Sequence, residues 1–160
     1  MLLNPNGHHE YRMHLQWEGN RGEGTSNYGG YDRLFRIRMD GKPDLLGSAD
    51  PAFRGDSSKH NPEDLLLAAL SSCHLLSYLA LCARRGITVL EYRDEAHGVM
   101  VVTPKGGGRF TSVTLHPQVI IRGKEQQALA LELHTQAHAD CFIAASCNFP
   151  VENHPEVIAV

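Results

Sequence analysis

The 160-residue sequence lacks most of the features that assign a protein at sight. No positively charged start leads into an apolar core, and the opening MLLNPNGHHEYR turns polar at once, so no secretory leader is expected. No apolar run reads as both long enough and free enough of charge to span a bilayer, so no membrane association is expected. Internal repeats, low-complexity tracts and linkers are missing, which excludes solenoids and tethered arrays. A net charge of only -3 gives no general attraction to nucleic acid or to an anionic surface. The four cysteines do not form the two close pairs of a structural zinc site, so neither a metal nor another cofactor is expected. A cytoplasmic location follows as the expectation, and there cysteines serve chemistry or burial rather than a disulfide framework.

What is present is an ordinary globular composition, 42% hydrophobic, in a length that suits a single domain over residues 1–160 whose core a partner subunit completes. Residues 11–17 alternate, with Tyr11, Met13, Leu15 and Trp17 on one side, as in a half-buried strand. A glycine-rich turn region follows from Gly19 to Gly30, then a strand over 34–39, a turn at Asp40-Gly41 and a short segment at Leu45 and Leu46. Residues 48–60 read as a loop. Asn61 then caps a long helix, Pro62 fits its first position, and Glu63 and Asp64 complement the positive end of the dipole. Its interior, DLLLAALSSCHLLSYLALCARR, is apolar on nearly every side, so it is expected to be buried all round; Gly86 closes it. Strands over 88–103 and 109–121 join through KGGG, a helix runs from Glu125 to about Thr135, a shorter one covers 138–145, and 157–160 form a last strand. Helices segregated from antiparallel hairpins make an α+β fold.

Cys73 lies mid-helix, among Ser71, Ser72 and His74. A cysteine there is either a small core residue or a nucleophile, and the helix dipole is too far away to activate it. A thiolate at this point needs a cation from elsewhere, because an unassisted thiol near pKa 8.5 is mostly protonated at neutral pH. Cys82, nine residues on, faces the other side of the helix and reads as packing. His138-Ala139-Asp140-Cys141 has ligand-like spacing without a matching second pair. His74 and His138 are either groups that tune the thiols or packed or exposed ordinary histidines, the second being the expected reading.

The stretch His60-Asn61-Pro62-Glu63-Asp64-Leu65-Leu66-Leu67-Ala68-Ala69-Leu70-Ser71-Ser72-Cys73 resembles the OsmC/Ohr signature N-P-E-x-L-x-x-A-x-x-x-C, and Ala137-His138-Ala139-Asp140-Cys141 resembles the family's second cysteine motif. The resemblance implies an OsmC-like fold, with antiparallel sheets, a long central helix and an intertwined homodimer. It also implies a thiol-dependent reductase of organic hydroperoxides. Carried over, Cys73 attacks the peroxide, Cys141 resolves the sulfenic acid as a disulfide, and an external dithiol such as a lipoylated protein reduces it. Glu63 is the family's glutamate. Its arginine corresponds to Arg54 in the OsmC branch and to Arg21 in the Ohr branch; Arg54 is preferred. The second motif departs from the family form, since Phe142 stands where proline follows the cysteine.

The chemistry fits these residue types. An arginine stabilises a thiolate without losing its proton, a glutamate holds that arginine by a bidentate pair, and a second thiol protects a sulfenic acid from over-oxidation. Glu63 and Cys73 are ten residues apart on one helix, about 15 Å along its axis, so a shared site requires Glu63 and Cys73 from different subunits. Cys147 is a further candidate for resolution, turned away from Cys141 along a helix. Two other functions use the same fold: binding of a small hydrophobic ligand, and redox sensing.

Overall fold

The computed structural model describes residues 7–160, which form two compact units meeting in the chain at Leu65/Leu66. The fold is α+β, with small sheets built on antiparallel hairpins and one long helix.

In the first unit β1 (His14–Trp17), β2 (Phe35–Arg38) and β3 (Leu45–Gly47) form an antiparallel sheet in that order. Pairing sets Trp17 opposite Phe35 and Ile37 opposite Leu45. The expected half-burial of the first strand is not found: all of β1 is exposed, and Met13, Leu15 and Trp17 show their apolar side chains. The alternation was real, but no layer of this unit covers the apolar face. The segment expected to be loop contains a 3-10 turn, Pro51–Phe53. Asp50 caps it through Ala52 N, and Arg54 closes it in the left-handed region at φ 65°. Gly55 follows where any Cβ would lie 1.5 Å from the Ala49 carbonyl oxygen, so the turn that presents Arg54 admits only glycine there.

The long helix α1 (Pro62–Arg84) begins as its sequence dictates. Asn61 Oδ1 accepts from Asp64 N at 2.7 Å and Asp64 Oδ2 accepts from Asn61 N at 3.2 Å, a reciprocal cap with aspartate in the usual glutamate position. Gly86, at φ 71°, ends it. Two expectations about this helix are corrected. It is not buried all round: only Leu70, His74, Tyr78 and Cys82 are, spaced four apart on one stripe. It is also long and apolar enough, by length and composition, to cross a membrane; a core helix passes the same test.

In the second unit the two expected strands are four, because Glu95-Ala96 and His116 each break the chain's direction. These are β4 (Thr88–Asp94), β5 (His97–Val102), β6 (Gly108–Leu115) and β7 (Pro117–Arg122). The KGGG hairpin joins β5 to β6 as expected, with Gly106 at φ 88°. A 3-10 turn leads into α2 (Gln127–Ala139), and α3 (Phe142–Ala145) is shorter than the sequence implied. Two C-terminal strands, β8 (Val151–Asn153) and β9 (Glu156–Ala159), add parallel pairings to β6 and β7. The sheets are thus ordered β4-β7-β9 and β5-β6-β8. One core gathers Tyr78 and Cys82 with Val119, Ile121, Ala130 and Leu133; a second gathers Leu70, Val113 and Leu115.

Candidate active site

The second unit brings Cys73 and Cys141 together. Cys73 is half-buried on α1, and Cys141 is buried at the end of α2, where it caps α3 by accepting from Ala144 N at 3.4 Å. Burial and then the Cys73 thiol against it push the Cys141 thiol up, Ala144 N acts the other way, and the net value is about 11. All four cysteines are free thiols. Cys82 lies in the other core beside Tyr78, with its thiol also raised by burial. Cys147 donates to the Ile143 carbonyl at 3.3 Å and packs against the core of Leu70, Val113 and Leu115.

Ser71 fixes the rotation of α1 two residues before Cys73. Its hydroxyl donates to Asp94 Oδ2 at 2.5 Å, and Asp94 Oδ1 accepts from His116 N at 2.7 Å, so one carboxylate ties the helix to β4 and to the start of β7. Next to Cys73, His74 is fully buried. Its Nε2 lies 3.0 Å from Nδ1 of buried His134 on α2, the two rings nearly parallel. His134 also stacks on Tyr78 at 3.8 Å between ring centres, and Tyr78 meets Tyr92 at 6.0 Å. Burial lowers His74 to about 4 and His134 to about 3, so both rings are neutral at pH 7. The sequence reading missed His134 and Tyr78. The signal for His134 was its place beside Ala130, Leu133 and Ala137, the buried stripe of α2.

The other two expected residues belong to the first unit. Glu63 sits half-buried in the first turn of α1. Arg54 is exposed, its guanidinium 5.8 Å from the centre of the Tyr28 ring, and among the described residues no carboxylate pairs with it. Arg21 differs. Its Nε donates to Asp32 Oδ2 at 2.9 Å and its Nη2 to Oδ1, which holds the Asp32 carboxyl below its usual range. Arg33 lies over both Tyr28 and Tyr31 and donates to their backbone carbonyls.

A family profile described as OsmC-like protein matches residues 55–153, most of the chain and both cysteine motifs. The protein is a member of the OsmC-like family. An OsmC-like protein of unknown function from Vibrio cholerae is 30% identical and superposes with a TM-score of 0.83, covering 93% of this chain and all of the other. The uncharacterized protein YmaD of Bacillus subtilis is 27% identical over 90% of both chains. The organic hydroperoxide resistance protein OhrB of Bacillus subtilis, at 20% identity and a TM-score of 0.60 over 92% of this chain and 98% of its own, shares the fold. Within the OsmC-like fold α1 is the central helix, which accounts for its apolar length. Proteins named for organic hydroperoxide resistance from Legionella pneumophila and Elizabethkingia anophelis share the fold as well.

Proposed function

We propose that this OsmC-like protein is a thiol peroxidase that reduces organic hydroperoxides, with Cys73 as nucleophile and Cys141 as resolving thiol. The observation that carries the reading is the placement of two free thiols against each other, one half-buried and one buried. Cys73 attacks the O–O bond, the alcohol leaves, and the resulting sulfenic acid condenses with Cys141 to a disulfide. A dithiol then restores both thiols, a lipoylated protein being the preferred donor. The proposed setting is the cytoplasm, whose reducing pool keeps such thiols reduced between turnovers.

Arg54 supplies the positive charge for the thiolate, and Glu63 holds it. The choice of Arg54 over Arg21 is favoured by their surroundings: Arg21 is already saturated by Asp32, whereas Arg54 carries no carboxylate among the described residues and is held in an unusual backbone state. Both units serve one domain, which works as an intertwined homodimer. Leu76 on α1, and Leu15 and Trp17 on β1, stand exposed as surface that a second copy covers. The ten-residue separation of Glu63 and Cys73 also requires the dimer, about 15 Å by helix rise.

The test is consumption of cumene hydroperoxide with dihydrolipoamide as donor, beside Cys73→Ser and Cys141→Ser. Many turnovers, abolished in Cys73→Ser and accompanied by a Cys73–Cys141 bond on mass spectrometry, are expected. Cys73 remaining reduced under peroxide, with no turnover by any dithiol, would refute the proposal and leave ligand binding as the function of the fold.

A further inference from the structure

The apolar residues of α1 do not by themselves settle how the helix is rotated. Burial of apolar surface is non-directional, and Leu76 and Leu79 carry such surface to sides other than the buried stripe of Leu70, His74, Tyr78 and Cys82. A helix apolar on so many sides has several rotations of similar burial. A directional polar contact tells them apart, as one buried polar residue fixes register in a coiled coil.

Ser71 makes such a contact. Its neighbour Ser72 keeps its hydroxyl within the helix, donating to the Ala68 carbonyl at 2.6 Å. Ser71 instead reaches across 23 residues of sequence to Asp94 Oδ2. The far end of this tie is held as well. Asp94 is half-buried at the end of β4, and its Oδ1 accepts from the N–H of His116, whose Nδ1 lies 3.2 Å from the Glu95 carbonyl oxygen. His116 stands between β6 and β7, where the chain crosses from one sheet to the other. The helix changes partners over the same stretch: Leu70 packs with Val113 and Leu115, and Tyr78 and Cys82 pack with Val119 and Ile121.

Cys73 lies about 3 Å farther along the axis than Ser71 and about 200° around it. Tie and thiol are on different sides of α1 and turn together as parts of one rod. Side chains reach about 5–6 Å from a helix axis, so a rotation of about 20° carries a thiol about 2 Å. That is roughly the length of an S–S bond. Cys141 stands between α2 and α3 and does not turn with α1.

We propose that Asp94, acting through Ser71, is the positioning residue that sets the Cys73 thiol against Cys141. The role deepens the peroxidase reading, from which it takes only the identity of the reacting pair. Asp94 needs no contact with either sulfur, because it acts on the rotation of the helix that carries one of them.

The experiment equilibrates the intact protein with mixtures of reduced and oxidised dithiothreitol, without peroxide, and reads acid-quenched, alkylated samples by mass spectrometry. Each Cys73–Cys141 bond formed sends two electrons and two protons to the oxidised reagent, so the equilibrium constant reports how closely the fold holds the two sulfurs. Wild type is compared with Ser71→Ala, Asp94→Ala, the double variant and Asn61→Ala. Alanine is the best helix former, so Ser71→Ala keeps α1, which far-UV circular dichroism checks. Ser71→Ala should lower the constant about tenfold, in the range of one hydrogen bond to a charged group. The double variant should match Asp94→Ala, since both substitutions remove the same contact. Asn61→Ala weakens the start of the same helix and should leave the constant as in wild type. An unchanged constant in Ser71→Ala, additive losses in the double variant, or an equal loss in Asn61→Ala would overturn the positioning role. A wild type that forms the bond in dithiothreitol but turns over no cumene hydroperoxide would bring down the peroxidase reading and leave the positioning role standing.

Discussion

Acidification should destabilise this protein through His74 and His134, by an amount that follows from their burial. Both rings are held below the ordinary value of 6.5, to about 4 and about 3. A base whose folded pKa is depressed binds fewer protons folded than unfolded, so stability rises with pH. The contribution is complete above pH 6.5 and is lost as pH falls toward 4 for His74 and toward 3 for His134. At pH 5 each imidazole is still neutral in the folded protein but about 97% protonated in the unfolded chain. That gap is worth about 2 kcal/mol per histidine, or about 4 kcal/mol for the pair relative to pH 7.5. It is a large share of the roughly 5–15 kcal/mol that holds a typical domain together. Urea denaturation followed by far-UV circular dichroism, at fixed protein concentration, measures it. His134→Phe keeps a ring over Tyr78 and removes one titrating site; it should roughly halve the loss between pH 7.5 and pH 5, whatever it does to stability at pH 7.5. Carboxylates titrate equally in both proteins and cancel. Identical losses in wild type and His134→Phe would refute the reasoning.

Three further outcomes are expected. Arg54→Gly should raise thermal stability by relieving the left-handed residue, worth about 1 kcal/mol, while hydroperoxide turnover falls at least about tenfold; Arg21→Gln should keep turnover. Asn61→Ala removes the acceptor for Asp64 N and should lower unfolding stability by about 1 kcal/mol, measured by denaturant titration. Leu70→Ala leaves a cavity against Val113 and Leu115 and should lower it by about 2–5 kcal/mol in the same assay.

Much of this arrangement was legible from residues alone, for local reasons. Asn61-Pro62-Glu63-Asp64 announces a helix start because capping is a property of four neighbouring residues, and Gly86 announces its end. The KGGG turn is equally local. The separation of β4 from β5 and the parallel pairings of β8 and β9 were not legible, because they depend on partners far along the chain. Burial misled in both directions. The alternation in β1 shows which side is apolar but not whether anything covers it, and the leucines of α1 outnumber the stripe this chain buries. The two thiols were located by motif. The pairing of His74 with His134 was not, since a histidine's role is set by what it stacks on, and the two meet across 60 residues of sequence.

Trp17 is the sole tryptophan of the chain, and it belongs to the first unit, its indole N–H donating to the Asp32 carbonyl at 2.8 Å and its ring edge-on to Tyr31. Indole emission therefore watches β1 and the Gly19–Asp32 turn, while nearly all of the helical ellipticity comes from the other unit, where the cysteines sit. Two optical signals divide the molecule along its own seam. A melt in which both change together reports one cooperative body, and a melt in which fluorescence moves first reports a sheet that lets go on its own.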